Sequence, residues 1–281
     1  MGDATPGKPD LPTISIVTPV FNAAETLQAT LDSIQSQDYP AIEHIVVDAV
    51  STDGTLDILR RESEAGRLKF ISEPDRGLSD AFNKGVRLAT GDLVAWLNAD
   101  DVYEPGALNA VGAAFVEQPK GEWLVGRCKI MGDDLAETRK PVTAYKNFLL
   151  KRFSLPLYLT NNFVSSPATF VRRDVLGEVG LLDERFKYSA DYDLWLRLAR
   201  RSDPIYVDAD VSRFRMAEGS LSITGFETQF IEHAQNAREN GDGHRIAVAV
   251  NRVMSRLIIW IYRSVMFSRR FRRGADAGGA A

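Results

Sequence analysis

Residues 91 to 101, GDLVAWLNADD, decide how the chain is read. Leu93 to Leu97 form a short, nearly continuous apolar run behind a glycine, the pattern of a central parallel strand covered on both faces. The run then stops in Asn98, Asp100 and Asp101. Adjacent carboxylates repel each other, and burial raises the cost. Taken alone, the pair can also open a solvated turn before YEPG, so its neighbours must decide.

Working outward, the first hundred residues alternate strand and helix. TISIVTPV (13–20), IEHIVVDAV (42–50) and LKFISEPD (68–75) read as strands. Between them, AAETLQATLDSIQSQ (23–37) carries Leu27, Leu31 and Ile34 on one helical face, and STDGTLDILRRESEAG (51–66) is a capped helix. LSDAFNKGVRLATG (78–91) is a third helix. This alternation predicts βαβ units, a mostly parallel sheet and right-handed crossovers. Ligands of such sheets bind beyond the carboxyl ends of the strands. PVFN, DAVSTDG, EPDRG and NADD all fall there.

The second half predicts a strand and turn in EWLVGRCKIMG (122–132), a helix in AYKNFLLKRF (144–153), and a strand then helix in SSPATFVRRDVLGEVG (165–180). ADYDLWLRLARRS (190–202) is an amphipathic helix with Leu194, Trp195 and Leu198 inward, and PIYVDADVSRFRM (204–216) is a strand. Neither a linker nor an internal repeat separates the halves. At 281 residues the chain forms one large domain or two intimate halves, and its 44% hydrophobic and 26% charged content is that of a globular protein. The single cysteine, Cys128, excludes a disulfide framework and fits a reducing compartment. MGDATPGKPDLP lacks the apolar stretch of a secretory signal and reads as a disordered tail over 1–11.

VDAVSTDGT (47–55) sets Asp48 at a strand end ahead of Ser51 and Thr52. Such a loop can recognise a nucleotide through its carboxylate, or simply cap the next helix. Capping accounts for Asp53 and Thr55 and leaves Asp48 open. The absence of G-x-G-x-x-G after the first strand, and of a P-loop anywhere, argues against dinucleotide enzymes and P-loop NTPases. A diphosphate could instead be held by Mg²⁺ or Mn²⁺, which takes one or two carboxylates plus substrate phosphates. The cation would neutralise the Asp100/Asp101 repulsion and stabilise a leaving diphosphate. No histidine has metal-ligand spacing: His44 reads as structural within its strand, and His233 and His244 lie in a polar helical stretch. Asp191 and Asp193 begin a helix, where negative charge is worth about 0.3–1 kcal/mol. That accounts for Asp193, whereas Asp191 stays open between capping and catalysis.

Three ordered segments carry a resemblance. TPVFNAAETLQATLDSIQSQDYPAIEHIVVDAVSTDGT, EPDRGLSDAFNKGVRLATGDLVAWLNADD and SPATFVRRDVLGEVGLLDERFKYSADYDLWLRLA resemble the nucleotide-binding half, the D-x-D-type motif and the acceptor-side acidic motif of glycosyltransferase family 2. The likeness covers roughly residues 13 to 222. It implies an α/β GT-A fold, with a Rossmann-like sheet flanked by helices. It also implies an inverting, Mg²⁺- or Mn²⁺-dependent enzyme using a nucleotide-sugar donor. The donor expected is a UDP-sugar, with dTDP- and GDP-sugars as alternatives, and the acceptor a glycan or lipid-linked saccharide. The corresponding divisions are a nucleotide-sugar half over 12–115, an acceptor half over 116–222 and a helical extension over 223–281.

By motif, Pro19, Phe21, Asn22, Glu25, Asp48 and Ser51 would line the nucleotide pocket. Asp75, Arg76 and Lys84 would lie near the diphosphate or sugar. Asn98 and Asp100 would contact ribose or metal, with Asp101 the first candidate metal ligand and Asp100 the second. Asp191 matches the general base. The chain departs from the pattern at Ala49 and Val50, where relatives carry Asp or Gly, and at Asn98 and Ala190, where they carry acids. Near Met216 and Ala217 some relatives place a histidine.

Eight arginines and no acid lie between Arg245 and Arg273, although the whole chain carries −4. Arg245, Arg252, Arg256, Arg263 and Arg270 share a narrow helical stripe, and Val250, Val253, Leu257, Trp260, Ile261 and Phe267 share another face. The apolar runs are too interrupted to span a bilayer. The helix reads either as interfacial on anionic lipid or as docked on the protein's own core or a second copy, arginines outward. The acidic body argues against nucleic acid as a partner. The combined expectation is a cytoplasmic enzyme peripheral to the inner membrane face. Alternatives are a non-catalytic scaffold relative, which the departures suggest, and a nucleotidyltransferase, whose phosphate loop TPVFNAAET lacks.

Overall fold

The computed structural model describes residues 11–216 and 225–278, with side chains through residue 264. The first parallel strands form from apolar runs: β1 (Ile14–Val20), β2 (Ile42–Asp48), β3 (Lys69–Ser72) and β4 (Leu93–Trp96). They pair in the order β3-β2-β1-β4, all parallel, as the strand–helix alternation predicts. All seven β1 residues are buried, because helices cover both faces of the sheet. Ile14 and Ile16 pack in one core layer with Leu93, Leu108 and Phe115, while Val17 packs in the other with Phe82, Trp96 and Trp195.

Three helices cross between these strands: α1 (Leu27–Gln35), α2 (Thr55–Glu64) and α3 (Leu78–Leu88). Leu27, Leu31 and Ile34 of α1 are buried, as the periodicity requires. On α3, Phe82 stacks on Trp96 with ring centroids 4.7 Å apart. Gly85 lets α3 lie close on β1, since a Cβ there would sit 2.3 Å from a Val17 methyl.

Beyond β4 the sheet becomes mixed. The strands are β5 (Val102–Tyr103), β6 (Trp123–Met131), β7 (Glu137–Thr138), β8 (Thr169–Arg172) and β9 (Ile205–Arg215). β8 lies antiparallel to β4 and to β6, β9 runs parallel to β6, and β5 pairs antiparallel with β9. β7 pairs with β6 off the main path. The helices of this half are α4 (Ala107–Glu117), α5 (Lys140–Leu150), α6 (Leu155–Thr160), α7 (Arg173–Val179) and α8 (Ala190–Ala199). Leu194, Trp195 and Leu198 of α8 are buried, as expected.

Two helices close the chain, α9 (Phe226–Asn240) and α10 (Arg245–Gly278). They dock through polar ties. Glu232 accepts hydrogen bonds from the Lys187 and Tyr188 amides at 3.0 and 2.8 Å and from the Ser189 hydroxyl at 3.2 Å. Asn236 donates to the Ser189 carbonyl, Asn240 to Asp193, and Asn251 to the Leu159 carbonyl. On α10, Ala247, Asn251 and Ser255 face the body. Val250, Val253, Leu257, Trp260 and Ile261 stay exposed instead of filling the core, because small and polar residues make the contact. Among the described residues, no helix is long and apolar enough to cross a membrane. The tail over 1–10, Ala217, the boundary at 222/223 and the side chains of Phe267 and Arg270 lie outside the described residues.

Glu232 holds the segment leading into α8, and charged hydrogen bonds are worth about 1.5–3 kcal/mol each. Glu232→Gln is expected to lower the thermal midpoint by about 4–8 °C, read by calorimetry. An unchanged midpoint would show that the clamp carries no stability.

Candidate functional site

The site gathers at the carboxyl ends of β1, β2 and β4. The loops after β1 and β2 are zipped together. The Asn22 amide donates to Ser51 Oγ at 2.8 Å, the Ala23 amide to Thr55 Oγ1 at 2.9 Å, and the Ala24 amide to Asp53 Oδ2 at 3.0 Å. In return the Thr52 amide donates to Asn22 Oδ1 at 2.8 Å. Val50 sits in this loop at φ 59°, a region a β-branched residue rarely occupies. Val50 and Phe21 are both exposed at the end of these loops. Glu25 is also exposed, while Pro19 is buried within β1.

Asp48 is fully buried. Its carboxylate takes the Ser51 amide and hydroxyl at 3.1 and 2.5 Å and the Ser72 hydroxyl at 2.6 Å. It ties the ends of β2 and β3 and shapes the loop, and its oxygens are already engaged. The exposed groups here are therefore Phe21, Asn22 and the loop backbone, with Asp48 beneath them.

Asp75, Arg76 and Lys84 lie at the end of β3 and on α3. Asp75 caps the turn through the Gly77 amide at 2.8 Å. Arg76 pairs with Asp80 and Glu184, both at 3.0 Å, and Lys84 with Glu73 at 2.9 Å. Both cations are thus held in position by carboxylates, and Arg76 is exposed.

At the end of β4 the two carboxylates differ. Asp101, the first candidate ligand by sequence, is the enclosed one. Its Oδ1 accepts the Arg215 amide at 2.9 Å, its Oδ2 the Asn98 side-chain amide at 3.2 Å, and its carbonyl the Thr30 hydroxyl at 2.8 Å. Asn98 is itself fixed by the Trp96 indole N–H at 2.6 Å. Burial, then the Asp100 charge, holds the Asp101 carboxyl well above its ordinary pKa. Asp100 is half-buried, and burial raises it too, against its own amide and the Arg215 charge. No other side chain among the described residues bonds to the Asp100 carboxylate. Described residues also contain no cluster of three or more metal-ligating side chains. A single under-compensated carboxylate fits a Mg²⁺ or Mn²⁺ that completes its shell with diphosphate oxygens and water.

Arg215 escaped the sequence reading. Its side chain is buried, donates to the Asp100 carbonyl at 3.1 Å and the Asp133 carbonyl at 3.1 Å, and locks the acidic loop against β9. Nothing in its local sequence marks this, since its partners lie far away in the chain.

Asp191 opens α8. Its Oδ1 accepts the Tyr192 amide at 2.7 Å and its Oδ2 the Ser166 hydroxyl at 2.8 Å. Burial raises its pKa, and Ser166, the Tyr192 amide and Lys146 oppose the rise. Lys146, also missed from sequence, lies on α5 with its ammonium 3.4 Å from Ser165 Oγ. Burial lowers its pKa, and the Asp191 charge resists. Burial raises the Cys128 thiol, the Asp101 charge adds to the rise, and the Ser212 hydroxyl and the Lys146 charge oppose it. Asp193 faces away, paired with Arg197 at 2.9 Å and Asn240.

The histidines take no part. His44 is buried against Thr18 at 3.0 Å, and burial pushes its pKa down to about 4. His233 is also buried, at about 3 by burial and then the Lys146 charge, packed between Tyr192 and Phe230.

The family model "Glycosyl transferase family 2" matches residues 15–180. A "PGL/p-HBAD biosynthesis glycosyltransferase" of Mycobacterium bovis (strain BCG / Pasteur 1173P2) is 35% identical over 190 residues, covering 66% of this chain and 69% of that protein. Among solved structures, S. aureus TarS 1–349 in complex with UDP-GlcNAc aligns at TM-score 0.62 and 20% identity, over 80% of this chain and 66% of that one. This chain spans 39% of the longer TarS chain. The mannosyltransferase PcManGT from Pyrobaculum calidifontis, in complex with GDP-Man and Mn²⁺, aligns at TM-score 0.60 and 17% identity, over 93% of this chain and 82% of that one. These two structural likenesses speak to the fold.

Proposed function

The chain belongs to glycosyl transferase family 2, and we propose that it transfers a sugar with inversion from a nucleotide-sugar donor to a hydroxyl of a glycan or lipid-linked acceptor. The observation that carries this reading is the pair of acids at a strand end and a helix start: Asp100, whose carboxylate bonds to no side chain among the described residues, and Asp191, whose carboxylate is oriented by Ser166 and the Tyr192 amide. The donor is a UDP-sugar, with dTDP- or GDP-sugars as alternatives; the two aligned structures hold UDP-GlcNAc and GDP-Man.

Phe21, Asn22, Glu25 and Ser51, over the Asp48 anchor, form the wall for the base and ribose, with Pro19 beneath. Asp75, Arg76 and Lys84 border the sugar and diphosphate. Asn98 and Asp100 face the ribose and cation, and Arg215, bonded to the Asp101 carboxylate and the Asp100 carbonyl, fixes their loop from the enclosed side. A bound Mg²⁺ or Mn²⁺ supplies positive charge for the departing diphosphate.

The acceptor oxygen attacks the anomeric carbon as the bond from that carbon to the diphosphate oxygen breaks. Its proton passes to an Asp191 carboxylate oxygen, while Ser166 and the Tyr192 amide fix the carboxylate's orientation. Burial raises Asp191 toward the working pH, which strengthens it as a base. The exposed apolar stripe of α10, with Ile246 83%, Val253 64% and Trp260 65% exposed, supports seating on the inner face of an anionic membrane.

Asp191→Asn tests the assignment. Turnover is expected to fall about 10²–10⁴-fold with donor binding retained; unchanged turnover would overturn the base, and a folded wild type that transfers no sugar would favour a scaffold reading. Lys146→Met provides a second check. Removing the ammonium removes a force that lowers Asp191, so its pKa rises and it stays protonated to higher pH. The acid limb of kcat/KM against pH is expected to move to higher pH. A limb that stays put would exclude Lys146 from setting the base.

A further inference from the structure

Three arginines from two helices converge on one hollow. Arg238 on α9 and Arg252 and Arg256 on α10 line a groove of about 510 Å³ whose floor includes Ile231, Ser255 and Ile259. All three are exposed, and no hydrogen bond or ion pair joins them to a carboxylate among the described residues. Six other arginines, Arg67, Arg76, Arg127, Arg197, Arg213 and Arg263, each meet an acid, whereas these three are gathered around one hollow without one.

The α10 surface divides into three strips. Ala247, Asn251 and Ser255 dock on the body, the arginines lie to one side, and Ile246, Val250, Val253, Leu257 and Trp260 lie to the other. Such an apolar strip beside a cationic one suits a helix lying in a bilayer interface. Guanidinium groups hold phosphate oxygens in forked hydrogen bonds, and the apolar floor accepts adjoining acyl or glycerol carbon.

Resting on the membrane seating above, we infer that the α9–α10 groove binds the phosphate of an anionic phospholipid headgroup through Arg238, Arg252 and Arg256. The same phosphate chemistry could come from a soluble phosphate compound, and the test separates the two sources. A helical stripe alone would rank Arg245 and Arg263 with Arg252 and Arg256, and would omit Arg238. The groove ranks them differently.

The test is sedimentation of the full chain with vesicles of phosphatidylcholine, with and without phosphatidylglycerol. Arg252→Gln/Arg256→Gln and Arg245→Gln/Arg263→Gln remove the same charge from the same helix. The groove pair is expected to weaken binding to the anionic vesicles at least tenfold more than the other pair, and Arg238→Gln is expected to weaken it several-fold. Equal losses in both pairs, with Arg238→Gln silent, would overturn the groove and leave membrane seating intact. A wild type that ignores anionic vesicles would overturn the seating and the lipid assignment together. Inorganic phosphate binding that the groove pair abolishes, with vesicle binding unaffected, would move the site to a soluble phosphate ligand and overturn the lipid.

Discussion

The buried carboxylate of Asp101 is the constraint on which the site depends. It lies at the end of β4, where it takes the Arg215 amide from the end of β9 and the Asn98 side chain from its own loop. That one side chain therefore joins the parallel half of the sheet to the mixed half. A second carboxylate beside it makes the arrangement costly, and both acids are pushed up in pKa by burial. A fold does not need such a pair for stability. It is understandable as a seat for positive charge that arrives with substrate.

The opposite wall is held from behind. Glu232, Asn236 and Asn240 of α9 grip the residues that open α8, immediately before and after Asp191. Asn251 of α10 reaches the Leu159 carbonyl and the Tyr192 hydroxyl. The closing helices thus brace the start of α8 on their inner side, while their outer side carries arginines and exposed apolar residues. Seating on a surface and positioning of Asp191 would then act through the same pair of helices.

Much of this was legible in the sequence because parallel strands buried on both faces are continuous apolar runs. GDLVAWL, TISIVTPV and IEHIVVDAV needed no knowledge of their partners. Val50 was legible as a stiff residue in a loop expected to want glycine freedom, and it sits at positive φ. What stayed hidden depends on long-range pairing. Asp48 and Asp101 were visible as acids, but their enclosure comes from Ser72 and Arg215. Lys146 approaches Asp191 from a separate helix, and no local pattern announces it. The docking side of α10 also misleads, since Ala247, Asn251 and Ser255 make the contact while larger apolar residues face outward.

The measurement that bears most directly on the account is calorimetric titration of the wild type and Asp100→Asn with UDP, GDP and dTDP, each with and without Mn²⁺. The account predicts that one nucleotide binds, that Mn²⁺ tightens it, and that Asp100→Asn removes the Mn²⁺ effect. A folded wild type that binds none of the three, or binds one with no response to Mn²⁺ or to the substitution, would contradict it.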